Sequence, residues 1–287
     1  MSLVSTLGTT PARIMGVYRL LAKGLPGAPT HDELCRAFMP PSTTDESTKS
    51  PRNLIEGTLQ EGMRLGLWSW SDGGPCSLDA PPVQVGDLGQ SNDELWTLLA
   101  DAVWGKDGLN TDLGYAIAWL LMQDPRDGGW GVEDVSNELK DTEWSDKTGI
   151  TERGKFTNFR DWAVYLGFAW QLSGDSVGGL LPDPTVHIRR RLPDIFKTRG
   201  TELTSTVFLG KLSLLSPVFE GGAFRKDVEA SLERRPESQF AATTAMALQR
   251  LQEDGRITLS EKADAPEHIV LRENGETAYV SHITWTG

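Results

Sequence analysis

The stretch from Ser238 to Trp285 constrains the fold of this chain more than any other. It reads S-Q-F-A-A-T-T-A-M-A-L-Q-R-L-Q-E-D-G and continues through R-I-T-L-S, H-I-V-L-R and A-Y-V-S-H-I-T-W. Phe240, Ala241, Thr244, Ala245, Leu248 and Leu251 recur at helical spacing, which makes one face apolar and predicts that Gln239, Thr243, Gln249, Arg250 and Glu253 point away. Gly255 is the expected helix terminator, because glycine takes the left-handed conformation at little cost. The later runs flank Glu273-Asn274-Gly275-Glu276, and Asn-Gly is a preferred tight hairpin turn because both residues tolerate positive φ. A helix leading straight into a hairpin is the order of the third helix and wing of a winged helix-turn-helix.

The amino-terminal end predicts the same order. Pro11 opens a helix over 11–25 that carries Ile14, Val17, Tyr18 and Leu21 on one face. Thr30 and Glu33 form a capping-box pattern ahead of a short helix over 30–38. After a proline- and hydroxyl-rich loop, a third helix is expected from Pro51 to Arg64, burying Ile55, Leu59 and Met63, followed by a strand around Leu67–Trp70 and a return. Between the two ends the reading is helical. Ser91–Glu94 is another capping box, the helix over 111–122 is apolar almost all round, and 124–154 reads as irregular with one short helix. The run F-T-N-F-R-D-W-A-V-Y-L-G-F-A-W-Q-L over 156–172 is expected to be one long helix capped by Thr157 or Asn158. Helices are also expected over 185–196, 202–215 and 225–235. The predicted fold is therefore mainly α, with a winged helix-turn-helix over 1–80, an acidic, aromatic-rich helical middle domain over 91–200, and a second winged helix over 201–287.

Charge bears on what such modules could contact. The chain carries a formal net charge of -12, and residues 81–150 hold 14 acidic groups against 4 basic ones. An acidic protein of this kind opposes indiscriminate DNA binding, which depends on many Lys and Arg contacts to phosphate. The opening M-S-L-V-S-T lacks a charged segment before an apolar core, and no apolar run reaches membrane-spanning length, so a cytoplasmic location with no membrane partner is expected. Cys35 and Cys76 have no metal-ligand spacing and read as reduced thiols.

Searching for chemistry yields no catalytic residue, metal site or cofactor. Eight carboxylates lie between Asp124 and Asp146, but their order does not fit a calcium loop, and a solvated acidic segment accounts for them. His31, His187, His268 and His282 are scattered, and no nucleophile elbow, phosphate loop or dinucleotide fingerprint occurs. Nucleic-acid contacts are easier to nominate. On the first third helix the candidates are Arg52, Asn53 and Arg64, with Gln60 beside them and Glu56 and Glu61 opposing. On the second they are Gln239, Thr243 and Arg250. Arg189 and Arg190 belong to a run completed by Arg191, and consecutive helical residues fan out, so at most two of the three could meet one backbone together.

The M-S-L opening with its winged helix, the N-F-R-D-W-A-V-Y-L-G-F-A segment, and the end T-A-M-A-L-Q-R-L-Q-E-D-G-R-I-T-L followed by V-S-H-I resemble the DpdG family. That resemblance implies an accessory protein of bacterial gene clusters that place deazaguanine bases in DNA and restrict foreign DNA. Two readings follow. One is a non-catalytic adaptor of an anti-phage complex that docks onto protein subunits, such as an ATPase or helicase, and could touch double-stranded DNA. The other is a sequence-specific winged-helix transcriptional regulator that uses one winged helix, the C-terminal one in the first instance.

Overall fold

The fold is described from a computed structural model. It describes residues 3–6, 8–23, 29–38, 49–70, 74–79, 93–105, 111–139, 142–172, 179–231, 239–265, 269–273 and 276–287, with the side chains of 49–52, 271–273 and 276 left aside. The chain is mainly helical with small antiparallel strand pairs, and it divides into two compact units. The first holds Met1–Asn110 and Gly154–Trp162, and the second holds Thr111–Arg153 and Ala163–Gly287.

In the first unit, α1 (Pro11–Lys23), α2 (His31–Phe38) and α3 (Lys49–Arg64) lead to the strands β1 (Trp68–Trp70) and β2 (Cys76–Leu78), followed by α4 (Asp93–Trp104). The capping box forms as expected. Glu33 accepts from the Thr30 amide at 2.8 Å and from its hydroxyl at 2.9 Å, and the Glu33 amide donates back to the Thr30 hydroxyl. Glu33 is held below the usual carboxylate range by these bonds to Thr30. The return strand also forms, with Trp68 opposite Leu78 and Trp70 opposite Cys76, and Thr30 bridges Pro75 on the other side of β2. Trp68 packs on α3, and its indole N–H donates to the Leu59 carbonyl at 3.0 Å. That position requires Gly62, since a β-carbon there would stand 1.8 Å from the ring.

The aromatic run over 156–172 departs from expectation. Its helix α8 spans Arg153–Leu166, with Glu152 rather than Thr157 or Asn158 at the N-cap position. Asn158 sits a turn inside it and is buried, its carboxamide donating to the Thr6 carbonyl at 2.7 Å and accepting from the Gly8 amide at 3.3 Å. A side chain used on a distant turn cannot cap its own helix. Trp162 works in the same direction, its indole donating to the Thr9 carbonyl at 3.0 Å. At the other end Gly167 stops α8 in a left-handed conformation, φ 83°, and the residues beyond become a strand.

The second unit starts with α5 (Thr111–Leu120), a 3-10 turn at Pro125–Asp127, α6 (Val132–Leu139) and α7 (Trp144–Thr148), so the acidic stretch holds more helix than expected. Strands β3 (Ala169–Gln171) and β4 (Leu180–Pro182) pair, and Trp130 bridges Leu180 on the far side. Then come α9 (Thr185–Phe196), β5 (Glu202–Thr204), α10 (Ser205–Leu215), α11 (Ala223–Ser231) and α12 (Ala242–Glu253). The chain ends on β6 (Ile257–Ser260), β7 (Ile269–Glu273), β8 (Glu276–Val280) and β9 (His282–Trp285). The strands on either side of Asn274-Gly275 pair, with Glu273 opposite Glu276, while the dipeptide itself lies outside the described residues; the other three strands lie in the order β5-β9-β6. Gly255 ends α12 at φ 66°.

The α5 helix is buried because α7 and α11 cover it. Gly114 lets the Phe224 ring approach to where a β-carbon would lie 2.5 Å from it, and Tyr115 donates to Asp227 at 2.9 Å. Arg225 is 2% exposed, donates to Glu229 at 2.8 Å and reaches the Ala118 carbonyl at 3.4 Å. A buried ion pair satisfied in this way fixes α11 on α5 in one register. No helix among the described residues is long and apolar enough to cross a membrane.

These contacts make Gly62→Ala a sharp test of the first unit. Overpacking against an immobile indole is expected to cost about 1–3 kcal/mol. The measurement is a drop in urea midpoint at unchanged slope; a wild-type midpoint would show that Trp68 is not seated on α3.

Candidate functional site

The nominated residues fall on surfaces of different character. On α3, Asn53 and Gln60 are exposed, Arg52 lies in the helix but its side chain is outside the described residues, and Arg64 is half-buried. Arg64 donates to Glu61 through Nε at 2.7 Å. Glu61 is only 1% exposed and also accepts from the Thr6 hydroxyl, so the expectation that it faces outward fails. On α9, Arg189 is exposed, Arg190 half-buried and Arg191 buried, which agrees with at most two of the three meeting one backbone. Arg191 approaches Asp194 on its own helix at 3.5 Å.

Around α12 the outward assignments change most. Thr243 is fully buried and donates to the Leu121 carbonyl at 2.7 Å. Thr244, Ala245, Ala247, Leu248 and Leu251 are buried as well, and Gln239 is half-buried where it bridges Val270 of β7. Helical spacing identifies the most apolar face but not whether a second element covers the opposite one. Here the segment after α5 covers it. The start of the helix has no side-chain cap of its own, and the buried Glu220 serves instead, accepting from the Ala241 amide at 2.8 Å and from the Thr244 hydroxyl at 3.0 Å.

Arg250 is the nominated α12 residue that stays open, with 45% of its side chain exposed, and its guanidinium pairs with Asp183. Asp183 is 2% exposed and accepts four hydrogen bonds. Its Oδ1 takes the amide and hydroxyl of Thr185, and its Oδ2 takes Arg250 and, at 2.7 Å, the indole N–H of Trp170. The carboxylate thus anchors the start of α9 and ties β3 to the end of α12. Trp170 and Asp183 were not nominated from sequence. The Pro182-Asp183-Pro184 step before a helix is a readable signal for the aspartate, but the helical periodicity of the run before Gly167 hides the strand that carries the tryptophan.

A second buried polar group lies on α9. His187 is fully buried, stacks on Phe168 at 3.9 Å between centroids, donates from Nδ1 to the Leu166 carbonyl at 2.8 Å and accepts from the Ser216 hydroxyl through Nε2 at 2.7 Å. Burial holds its pKa well below 6.5, and the neighbouring Arg191 adds to that. Elsewhere, several carboxylates of the acidic stretch are engaged. Asp124 binds Arg126 at 2.8 Å, Asp134 accepts from the Gly131 amide, and Glu143 binds Lys147 at 2.7 Å and the Ser231 hydroxyl at 2.8 Å. Asp124 and Glu143 are held below the usual carboxylate range, chiefly by the hydrogen bonds from Arg126 and Lys147. Among the described residues, no three His, Cys, Asp or Glu side chains gather as a metal site.

The histidine sets a pH dependence with a definite sign. Unfolded, His187 binds a proton as pH falls below 6.5, whereas the folded chain resists it, so its stabilising contribution is complete above 6.5 and declines toward the lower folded value. The thermal midpoint is expected to fall between pH 7 and pH 5, and His187→Gln should flatten that fall by about one proton's worth of slope. An unchanged slope in the variant would refute the assignment.

No curated protein and no solved structure matches the chain. The family profile described as DpdG-like matches residues 1–265 of the 287. With nearly the whole chain matched, from the amino-terminal turn held by Asn158 to the strand after α12, this protein belongs to the DpdG-like family.

Proposed function

We propose that this protein is an accessory subunit of the Dpd deazaguanine modification system that docks onto other proteins of the system through winged-helix modules. The strand order supports the winged-helix reading. In the second unit β5 precedes α10 and α12, the sheet runs β5-β9-β6, and the hairpin of β7 and β8 sits between β6 and β9 as a wing would. In the first unit the same order recurs, with Thr30 between α1 and α2, β1 and β2 after α3, and the residues paired in the order Thr30, β2, β1.

The observation that carries the docking role is the covering of α12. A winged helix that reads duplex DNA needs one open row on its third helix to enter the major groove. The nominated Thr243, and Ala247 one turn on, are fully buried. By contrast, α10 leaves Leu214 at 85% and Val207 at 45% exposed, and a β-carbon at Gly210 would meet nothing within 4 Å. These three lie on one face at helical spacing, a surface suited to a protein partner such as an ATPase or helicase of the system.

The regulator reading draws its support from α3, where Asn53 and Gln60 are exposed and chemically able to read adenine. The two readings separate experimentally. Val207→Glu with Leu214→Glu is expected to reduce co-purification with the other Dpd proteins at least tenfold without lowering the thermal midpoint. Full co-purification of that variant would sink the docking role, and duplex binding lost in Asn53→Ala with Gln60→Ala would favour the regulator.

A further inference from the structure

The edge of the β3–β4 sheet presents Trp170 in an unusual state for so large an apolar side chain. It is 53% exposed, yet its indole N–H is tied to the buried Asp183 at 2.7 Å. That bond uses the ring's polar atom and tethers it to the buried carboxylate, so what the ring offers to solvent is its carbon surface. Leu172 follows on the same face of the strand, 38% exposed and continuing the ladder through its amide to the Gly179 carbonyl at 2.9 Å. It lies directly against Gly129, where a β-carbon would be 2.2 Å from it. The same Asp183 oxygen that holds the indole also holds Arg250, so a guanidinium with 45% of its side chain open is fixed beside the ring.

One buried carboxylate therefore holds an aromatic ring and a cation together. Such a pair suits a ligand that combines a flat ring with an adjacent anion. Each nucleotide supplies both within one repeat of the strand, whatever its base, whereas a peptide must bring an aromatic and a carboxylate into one register. A duplex keeps its base faces stacked inside and cannot offer one to an exposed ring. We infer that Trp170 and Arg250 form a binding site for an unpaired nucleotide of a single strand, with the base stacked on Trp170 and its phosphate on Arg250. The site is independent of the docking role argued from α10 and differs from groove reading by α12, since it uses only the exposed end of that helix.

The test uses the full chain and fluorescein-labelled oligonucleotides of mixed sequence, single-stranded or as the matching duplex, in an anisotropy salt series. The single strand should bind more tightly than the duplex. Trp170→Ala should weaken it about tenfold or more, as expected for loss of one base–aromatic stack, while Trp170→Phe should retain most of the affinity. Arg250→Gln should weaken binding and reduce the magnitude of the salt slope by about one phosphate contact. Because both side chains help satisfy Asp183, a 5-iodouracil strand cross-linked to the wild-type protein gives a readout free of folding effects, and the adduct should map to Trp170. Equal affinity for duplex and single strand, no binding at low salt, an unaffected Trp170→Ala variant, or a cross-link elsewhere would each overturn the assignment. So would a Trp170→Ala variant that loses its protein partners but keeps its oligonucleotide affinity.

Discussion

The amino terminus of α12 depends on a carboxylate from outside the helix. Ala241 stands at the N-cap position with no side chain able to accept a hydrogen bond, and Glu220 fills that role from the loop before α11. A helix start leaves several amide donors unpaired, and the helix dipole favours an anion there, so a buried acceptor at that point is worth about 1–3 kcal/mol. Fixing that end sets where the rest of α12 lies. The helix then packs on α9, β6 and β7, donates through Thr243 to the Leu121 carbonyl, and brings Arg250 to Asp183.

The interior of the second unit is organised by polar residues that satisfy one another at long range. Glu220, Asp183, His187 and the pair Arg225–Glu229 are each buried and each join segments far apart in the chain. Apolar packing alone tolerates sliding by small amounts, whereas a buried charge displaced from its donor incurs the full desolvation cost. As a result the face of α12 that carries Thr243 and Ala247 is covered, while Trp170 and, on α10, Val207 and Leu214 stay exposed.

Much of the local structure was legible in the residues themselves. The Thr30–Glu33 box, the pairing of the strands that flank Asn-Gly, the Gly255 stop and the α9 span from Thr185 to Phe196 all depend on contacts within a few residues, and each formed as expected. The candidate site was legible only in part. Arg250 and Asn53 stand at the surface, but Thr243 and Glu61 are inside, because a side chain's exposure depends on what a distant segment lays against it. Trp170 was hidden for the opposite reason. The apolar rhythm of α8 continues past Gly167, and it takes a partner strand from Leu180 to Pro182 to turn that continuation into β-structure.

The sequence by itself determined where helices start and stop, which hairpin closes the chain, and which family the chain resembles, since those features rest on local backbone chemistry and composition. Only the tertiary structure decided which faces are available. Asn158 was free to cap its own helix until the turn at Thr6–Gly8 claimed it, and Asp183 was an ordinary pre-helix aspartate until Trp170 and Arg250 converged on it. The physical reason is that a buried polar group must be satisfied, and its partners are chosen by the chain as a whole.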